Sequence, residues 1–513
     1  VDEDVNSRIR TEGLGRSQVM RTLHFLTDVY GPRLTGSPSL RAAGEWSVKT
    51  MEGWGLKNAH LESWDFGHSG WQNEVAWGAV VSPVKDALVF EVLAWTPGTN
   101  GPVRAKAVNI QVPDRPTAEE LSAFFASTRE LVKGAIVLVG RPRLVPVNIT
   151  PPAKRRADAE LEAQYDPNRA GVARSGGRPG APLAPPRPGA LATSEASARV
   201  SQFLVDSGAL VRVNDAAREL GQITAFHNAT YDLTKTVPTV VMRNEDYGRI
   251  ARILGDGASV ELEFNIVNRT FVEGRTAYNT IAEIPGSDRK EEVVMIGAHL
   301  DSWHSATGAT DNAVGCAVMM EAARILNAIG AHPRRTIRVA LWSGEEEGLL
   351  GSRAYVKEHF GSFEDRKPEF EKLVAYMNLD GGTGQLRGAS VFGPASAAAT
   401  LRGILAPFRD FGVWGTTATS SRALGGTDST SFNQAGLPGI NFQQDPIEYN
   451  THTHHTNLDT YERVIEEDVK KAAVIVASAA YHLAMRDEML TRFAPADMPP
   501  SPASRTSSSG KPD

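Results

Sequence analysis

The stretch Glu292-Val293-Val294-Met295-Ile296-Gly297-Ala298-His299-Leu300-Asp301 reads as a buried strand that delivers an imidazole and a carboxylate at its carboxyl end. Working outward from it, Thr310-Asp311-Asn312 comes next, then Gly344-Glu345-Glu346-Glu347-Gly348 after a second apolar run. Asn378-Leu379-Asp380 closes a third run, and His454-His455-Thr456 precedes a long helical pattern. Imidazole mixed with carboxylate binds hard divalent cations with some borderline character, zinc above all. One metal needs three protein ligands and an open position, whereas five ligands with one shared carboxylate suit two metals.

Strand and helix patterns alternate from residue 279 onward. Glu292–Ala298, Thr336–Ser343, Leu373–Leu379 and Gly439–Phe442 read as strands. Ala313–Ile329, Leu349–Phe360 and Thr460–Met485 read as helices. That alternation predicts an α/β fold with a mixed, mainly parallel sheet flanked by helices. Sites in such sheets lie beyond the carboxyl ends of the strands, where His299, Asp301, Glu345, Glu346 and Asp380 all fall. Taken singly, an acidic triplet reads as a solvated face and Asp311 as a helix cap. Their joint placement at several strand ends favours a metal site.

The remaining texture predicts further units. Residues 15–30 and 38–54 have helical periodicity, and Ala76–Val81 and Ala87–Trp95 read as strands. Residues 1–96 are assigned to the opening part of the catalytic domain, 97–272 to an inserted β-rich domain, and 273–490 to the catalytic domain proper. Within the insert, 145–195 is low in hydrophobicity and rich in Gly, Pro and Arg, and is expected to be an exposed, mobile excursion. Residues 491–513 are expected to form a disordered tail.

Composition narrows the function. The 513 residues are 41% hydrophobic and 22% charged, as in ordinary globular chains. A net charge of -6 excludes the basic footprint of a nucleic-acid binder. The single cysteine, Cys316, lies in an apolar helical pattern and reads as a buried thiol. No apolar run reaches the ~18 residues of a membrane span. A start at Val1 fits removal of a leader or a tag, so secretion or a periplasmic location is the expectation.

The order His-x-Asp, Asp-Asn, Glu-Glu, Asp, then His-Thr-x-x-Asp-Thr resembles the M28 family of two-zinc peptidases. Ala298–Trp303 and Pro333–Gly348 strengthen the likeness, which covers 279–485. Lys133–Val139 and Val237–Val241 are similar to a protease-associated (PA) domain. The resemblance implies a zinc exopeptidase fold with a PA-like insert, two zinc ions per chain, peptide substrates and, as often in that family, a homodimer. It further implies that Asp311 bridges the zincs, with His299 and Asp380 completing one site and Glu346 and His455 the other. Glu345 would be the general base, and Asp301 would orient the His299 imidazole. The register of the glutamate triplet is open by one residue either way.

Asp428 stands where the family has a structural carboxylate. An Asn precedes that Asp in the glutamate-specific branch; Thr427 stands here, so strict glutamate specificity is not expected. Asp445 or Glu448 could hold a substrate amine, Arg422 a substrate carboxylate, and His454 could face substrate. Two other functions compete: a glutaminyl-cyclase-like acyltransferase with one zinc, and a non-catalytic binding protein of the same architecture. Filled ligand positions favour hydrolysis.

Overall fold

A computed structural model describes residues 1–166, 187–228, 230–423 and 426–502. Two eight-stranded sheets organise the described residues. The first runs, in spatial order, Lys57–Asp65, Thr276–Ile284, Arg335–Trp342, Arg289–His299, Leu373–Asn378, Gly439–Gln444, Leu386–Phe392, Gly415–Thr419. Its four middle strands, starting at Arg335, Arg289, Leu373 and Gly439, are mutually parallel, and antiparallel neighbours flank them.

Parallel strands covered on both faces have no solvent side, so they read as continuous apolar runs. Val293–His299 and Leu373–Asn378 are buried throughout. One face packs on helices Val314–Ala328 and Glu466–Met485, with Glu3–Gly15 against both. On the other face lies an aromatic cluster of Trp342, Tyr355, Phe360, Tyr376 and Phe432. Trp342 Nε1 donates to the Tyr376 hydroxyl at 2.7 Å, and that hydroxyl donates to Asn378 Oδ1 at 2.7 Å. The polar ends of these rings thereby stay paired inside the core.

The second sheet runs Asp86–Ala87, Gly70–Ser82, Glu261–Phe271, Val103–Ile110, Ile136–Val139, Val211–Asp215, Thr239–Met242, Phe90–Val92. Helices Ala118–Val132 and Thr193–Asp206 cover one face, with Phe125 stacked on Phe203 at 4.2 Å. The other face buries Trp71, Trp95 and Phe264 together with Leu34, Ala277 and Trp303 from the first unit. The two units share one apolar cluster.

Several boundaries differ from the sequence reading. Strands at Gly70–Ser82 and Phe90–Val92 pair in the second sheet, so that sheet begins well before the expected boundary at 97. The alternation in 70–92 marks a strand without marking its partner. Part of the expected mobile excursion is docked: Asp158–Tyr165 is a helix with Leu161 and Tyr165 buried, and Tyr165 donates to Gln443 Oε1 at 2.7 Å. Residues 167–186 of that excursion lie outside the described residues. Two points of the expected disordered tail are held on the fold, Phe493 against Phe392 at 5.3 Å and the Pro499 carbonyl accepting from Arg422 at 3.2 Å. Residues 503–513 lie outside the described residues. No helix among the described residues is long and apolar enough to cross a membrane.

Candidate metal centre

Parallel register brings the site together. His299 pairs with Trp342, and Gly297 with Asn378, which in turn pairs with Asn441. The strands therefore end at one level, and the next residues of each turn into the same crevice. Gly344 makes the turn to the glutamates at φ +72, where a Cβ would also meet the Trp64 ring. Gly308, at φ +61, opens the turn Ala309–Ala313 that carries Asp311.

Asp311 is the hub. Its Oδ1 lies 3.2 Å from His299 Nε2, and its Oδ2 lies 3.2 Å from His455 Nε2. Asp380 Oδ1 is 3.5 Å and Glu345 Oε2 4.0 Å from His299 Nε2. Glu346 Oε2 is 2.8 Å from His455 Nε2. His299, Glu345 and Asp380 offer ligand atoms within 4.8 Å of one another, as do His299, Asp311 and Glu346. So do Asp311, His454 and His455, which puts His454 beside the ligands, with Nε2 3.8 Å from Asp311. His454 and His455 lie ring against ring at 3.7 Å.

The donor chemistry fits zinc. Four carboxylates face two imidazoles, a set that reaches charge balance with divalent cations. His299 Nε2, Asp311 Oδ2 and Glu346 Oε1 are buried with no hydrogen-bond partner, so their lone pairs remain for another ligand. Burial alone would lower His299, but Asp380 and Glu345 outweigh it and hold the imidazole well above its usual range. Burial likewise opposes the charge on Asp311, yet the close approach of the His299 and His455 imidazoles holds it well below the carboxylate range. Burial raises Glu345 well above that range and pushes Glu346 up to about 7.

Supporting groups fix the ligands. The Asp301 carbonyl accepts from His299 Nδ1 at 3.0 Å, leaving Nε2 aimed into the crevice. The Asp301 carboxylate, expected to orient the ring, is 3.7 Å from Nδ1. It accepts instead from the Glu345 and Glu346 amides at 3.3 and 3.2 Å, so one residue aligns ligands from two strands. Asp428 is fully buried with both carboxylate oxygens unpaired, and burial raises its carboxyl to about 7. Thr427 is buried and accepts from Asn378 Nδ2 at 3.0 Å, tying its loop to the strand end.

Two supporting residues escaped the sequence reading. Arg33 is fully buried and donates to the carbonyls of Leu300, Leu26, Thr307 and Gly308 at 2.6–2.9 Å, stapling both ends of the loop that runs from His299 towards Asp311. A lone arginine in Gly31-Pro32-Arg33 carries no sequence signal of that task. Asp459 accepts from the amides of Thr310 and Asp311 at 2.7 and 3.0 Å. It stood in the His-Thr-x-x-Asp-Thr pattern without an assigned role.

The proposed substrate groups are otherwise employed. Arg422 is bound to Glu364 at 2.5 and 3.1 Å, to the Gln434 carbonyl at 2.9 Å and to the Pro499 carbonyl at 3.2 Å. Asp445 is fully buried, accepting from Arg155 at 3.2 Å and the Arg156 amide at 3.0 Å. Glu448 pairs with Lys154 at 2.7 Å. All three charges hold segments of the chain, because each finds a partner remote in sequence.

Residues 279–480 match the model of Peptidase family M28. The chain is 26% identical to rat (Rattus norvegicus) carboxypeptidase Q over 474 residues, covering 92% of this chain and 86% of the relative. A crystal structure of a peptidase M28 precursor from Shewanella amazonensis superposes with a TM-score of 0.65 at 22% identity, over 96% of this chain and 98% of the other. A zinc aminopeptidase from Bacillus subtilis superposes at 0.56 and 19% identity, over 93% of this chain and 98% of the other. The chain therefore carries a metallopeptidase domain of family M28.

Proposed function

We propose that the chain is a two-zinc exopeptidase that hydrolyses dipeptides or short peptides. The observation that carries this reading is the split of Asp311, whose two carboxylate oxygens face different histidines at the same 3.2 Å. His299 and Asp380 would hold one zinc, His455 and Glu346 the other, with Asp311 shared. Bound zinc would lower the pKa of the attacking water and polarise the scissile carbonyl.

Glu345 is left free of His455 and stands beside His299 and Asp380. It takes the proton of the attacking water and returns it to the departing amine. Asp301 keeps Glu345 and Glu346 in register through their amides, and Arg33 holds the loops that carry Asp301 and Asp311. The second unit reaches the edge of the crevice through Phe226, 5.4 Å from the His455 ring, and through His227, stacked on Trp303 at 5.8 Å. A crevice bounded in this way admits chain ends more readily than the middle of a folded protein.

A dipeptide series assayed free, N-acetylated and C-amidated tests the reading. Cleavage of free dipeptides is expected, with loss on one of the two blocks. Efficient internal cleavage of a long peptide blocked at both ends would contradict exopeptidase action.

A further inference from the structure

We propose that Phe226, from the second unit, forms the apolar wall of a side-chain subsite beside His455, so that preferred substrates carry a bulky apolar side chain next to the scissile bond. The inference rests on the peptidase reading above. Phe226 sits edge-on to the His455 ring, with centroids 5.4 Å apart and planes at 83°, yet it remains 41% exposed. His455 and His454 keep 25% and 42% of their side chains exposed. An aromatic ring in contact with a ligand imidazole, and itself open to solvent, borders the space that a substrate must enter.

The ring is held in place before any substrate arrives. The Phe226 carbonyl accepts from the Ala94 amide at 2.8 Å, and the Asn228 amide donates to the Ala94 carbonyl at 2.8 Å. Ile223 is buried and exchanges hydrogen bonds with Asn457, two residues beyond His455, at 2.8 and 3.0 Å. Trp303, two residues after Asp301 in the same loop, backs the ring at 5.0 Å. The loop 221–228 is thus pinned both to its own sheet and to the segment carrying His455. Preorganisation of this kind lets an exposed ring gain contact energy from substrate with little ordering cost. A polar or glycine residue beside the scissile bond would leave that ring wet.

Phe226→Ala and Phe226→Leu in the zinc-loaded protein test the proposal. Each is assayed with Leu-Gly, Phe-Gly, Gly-Leu, Gly-Phe, Ala-Gly and Gly-Ala, and titrated calorimetrically with leucine hydroxamate and glycine hydroxamate. Phe226→Ala is expected to lower kcat/KM by ~10–100-fold for the Leu or Phe dipeptides, with under ~3-fold change for the alanine ones. The preference of leucine over glycine hydroxamate should vanish with it, while Phe226→Leu keeps most of both. Uniform loss across the series, or an unchanged preference, overturns the proposal. If the wild type cleaves no dipeptide, the peptidase reading fails and the hydroxamates decide alone. A leucine preference that Phe226→Ala erases then supports the subsite, and equal or absent binding of the two overturns it.

Discussion

At the scale of single residues, the centre depends on which glutamate does what. Glu346 is in contact with His455, while Glu345 stands by His299, although both hang from one turn held by Asp301. Glu345→Gln is expected to keep both metals and lower kcat by ~10²–10⁴. Glu346→Gln should instead lose metal. Metal content and turnover measured on both variants check this, and the reverse pattern would shift the register of the triplet by one. Arg33 poses a different problem, since its guanidinium satisfies four buried carbonyls. Arg33→Met strands those acceptors at ~1–3 kcal/mol each. A loss of at least ~3 kcal/mol in urea unfolding is expected, and a loss under ~1 kcal/mol would deny Arg33 its stapling role.

At the scale of elements, the central strands were readable because burial on both faces writes an unbroken apolar run ending in polar ligands. Strands Leu386–Phe392 and Gly415–Thr419 escaped notice. Arg387, Gly388 and a run of threonines break the pattern in these two strands at the far side of the sheet. Only proximity in sequence links Asp445, Glu448 and Arg422 to the site. Their partners lie far along the chain, which no local pattern records. Segment 154–156 is the clearest example: Arg155 bridges Asp445 and Asp468 at 3.2 and 2.6 Å, fastening the strand end that leads to His455. A double-mutant cycle of Arg155→Ala with Asp445→Asn is expected to give a coupling of ~0.5–3 kcal/mol. Additive effects would make the contact incidental.

At the scale of the whole molecule, two sheets share the cluster containing Trp303, and His304 reinforces it by donating from Nε2 to the Val92 carbonyl at 2.6 Å. The family was legible in the ligands. The joint between the units was not, since Trp303 has no periodicity to betray its partners. The ends of the chain are joined as well: Asn6 accepts from Ser478 and His482 at 2.7 and 3.2 Å. Burial holds His482 down to about 4, against ~6.5 in an unfolded chain. Between those values the unfolded chain binds the extra proton, so this residue's contribution to stability is full above pH ~6.5 and falls as pH drops towards 4. His482→Gln should flatten the melting-temperature profile across that window relative to wild type, and parallel profiles would contradict the assignment.

The central claim, a pair of zincs sharing Asp311, is tested most directly by the metal content of fully active, dialysed protein, measured beside Asp311→Ala. Two zinc ions per wild-type chain are expected, with loss of both from the variant. At most one equivalent of zinc in a fully active wild-type sample would contradict it.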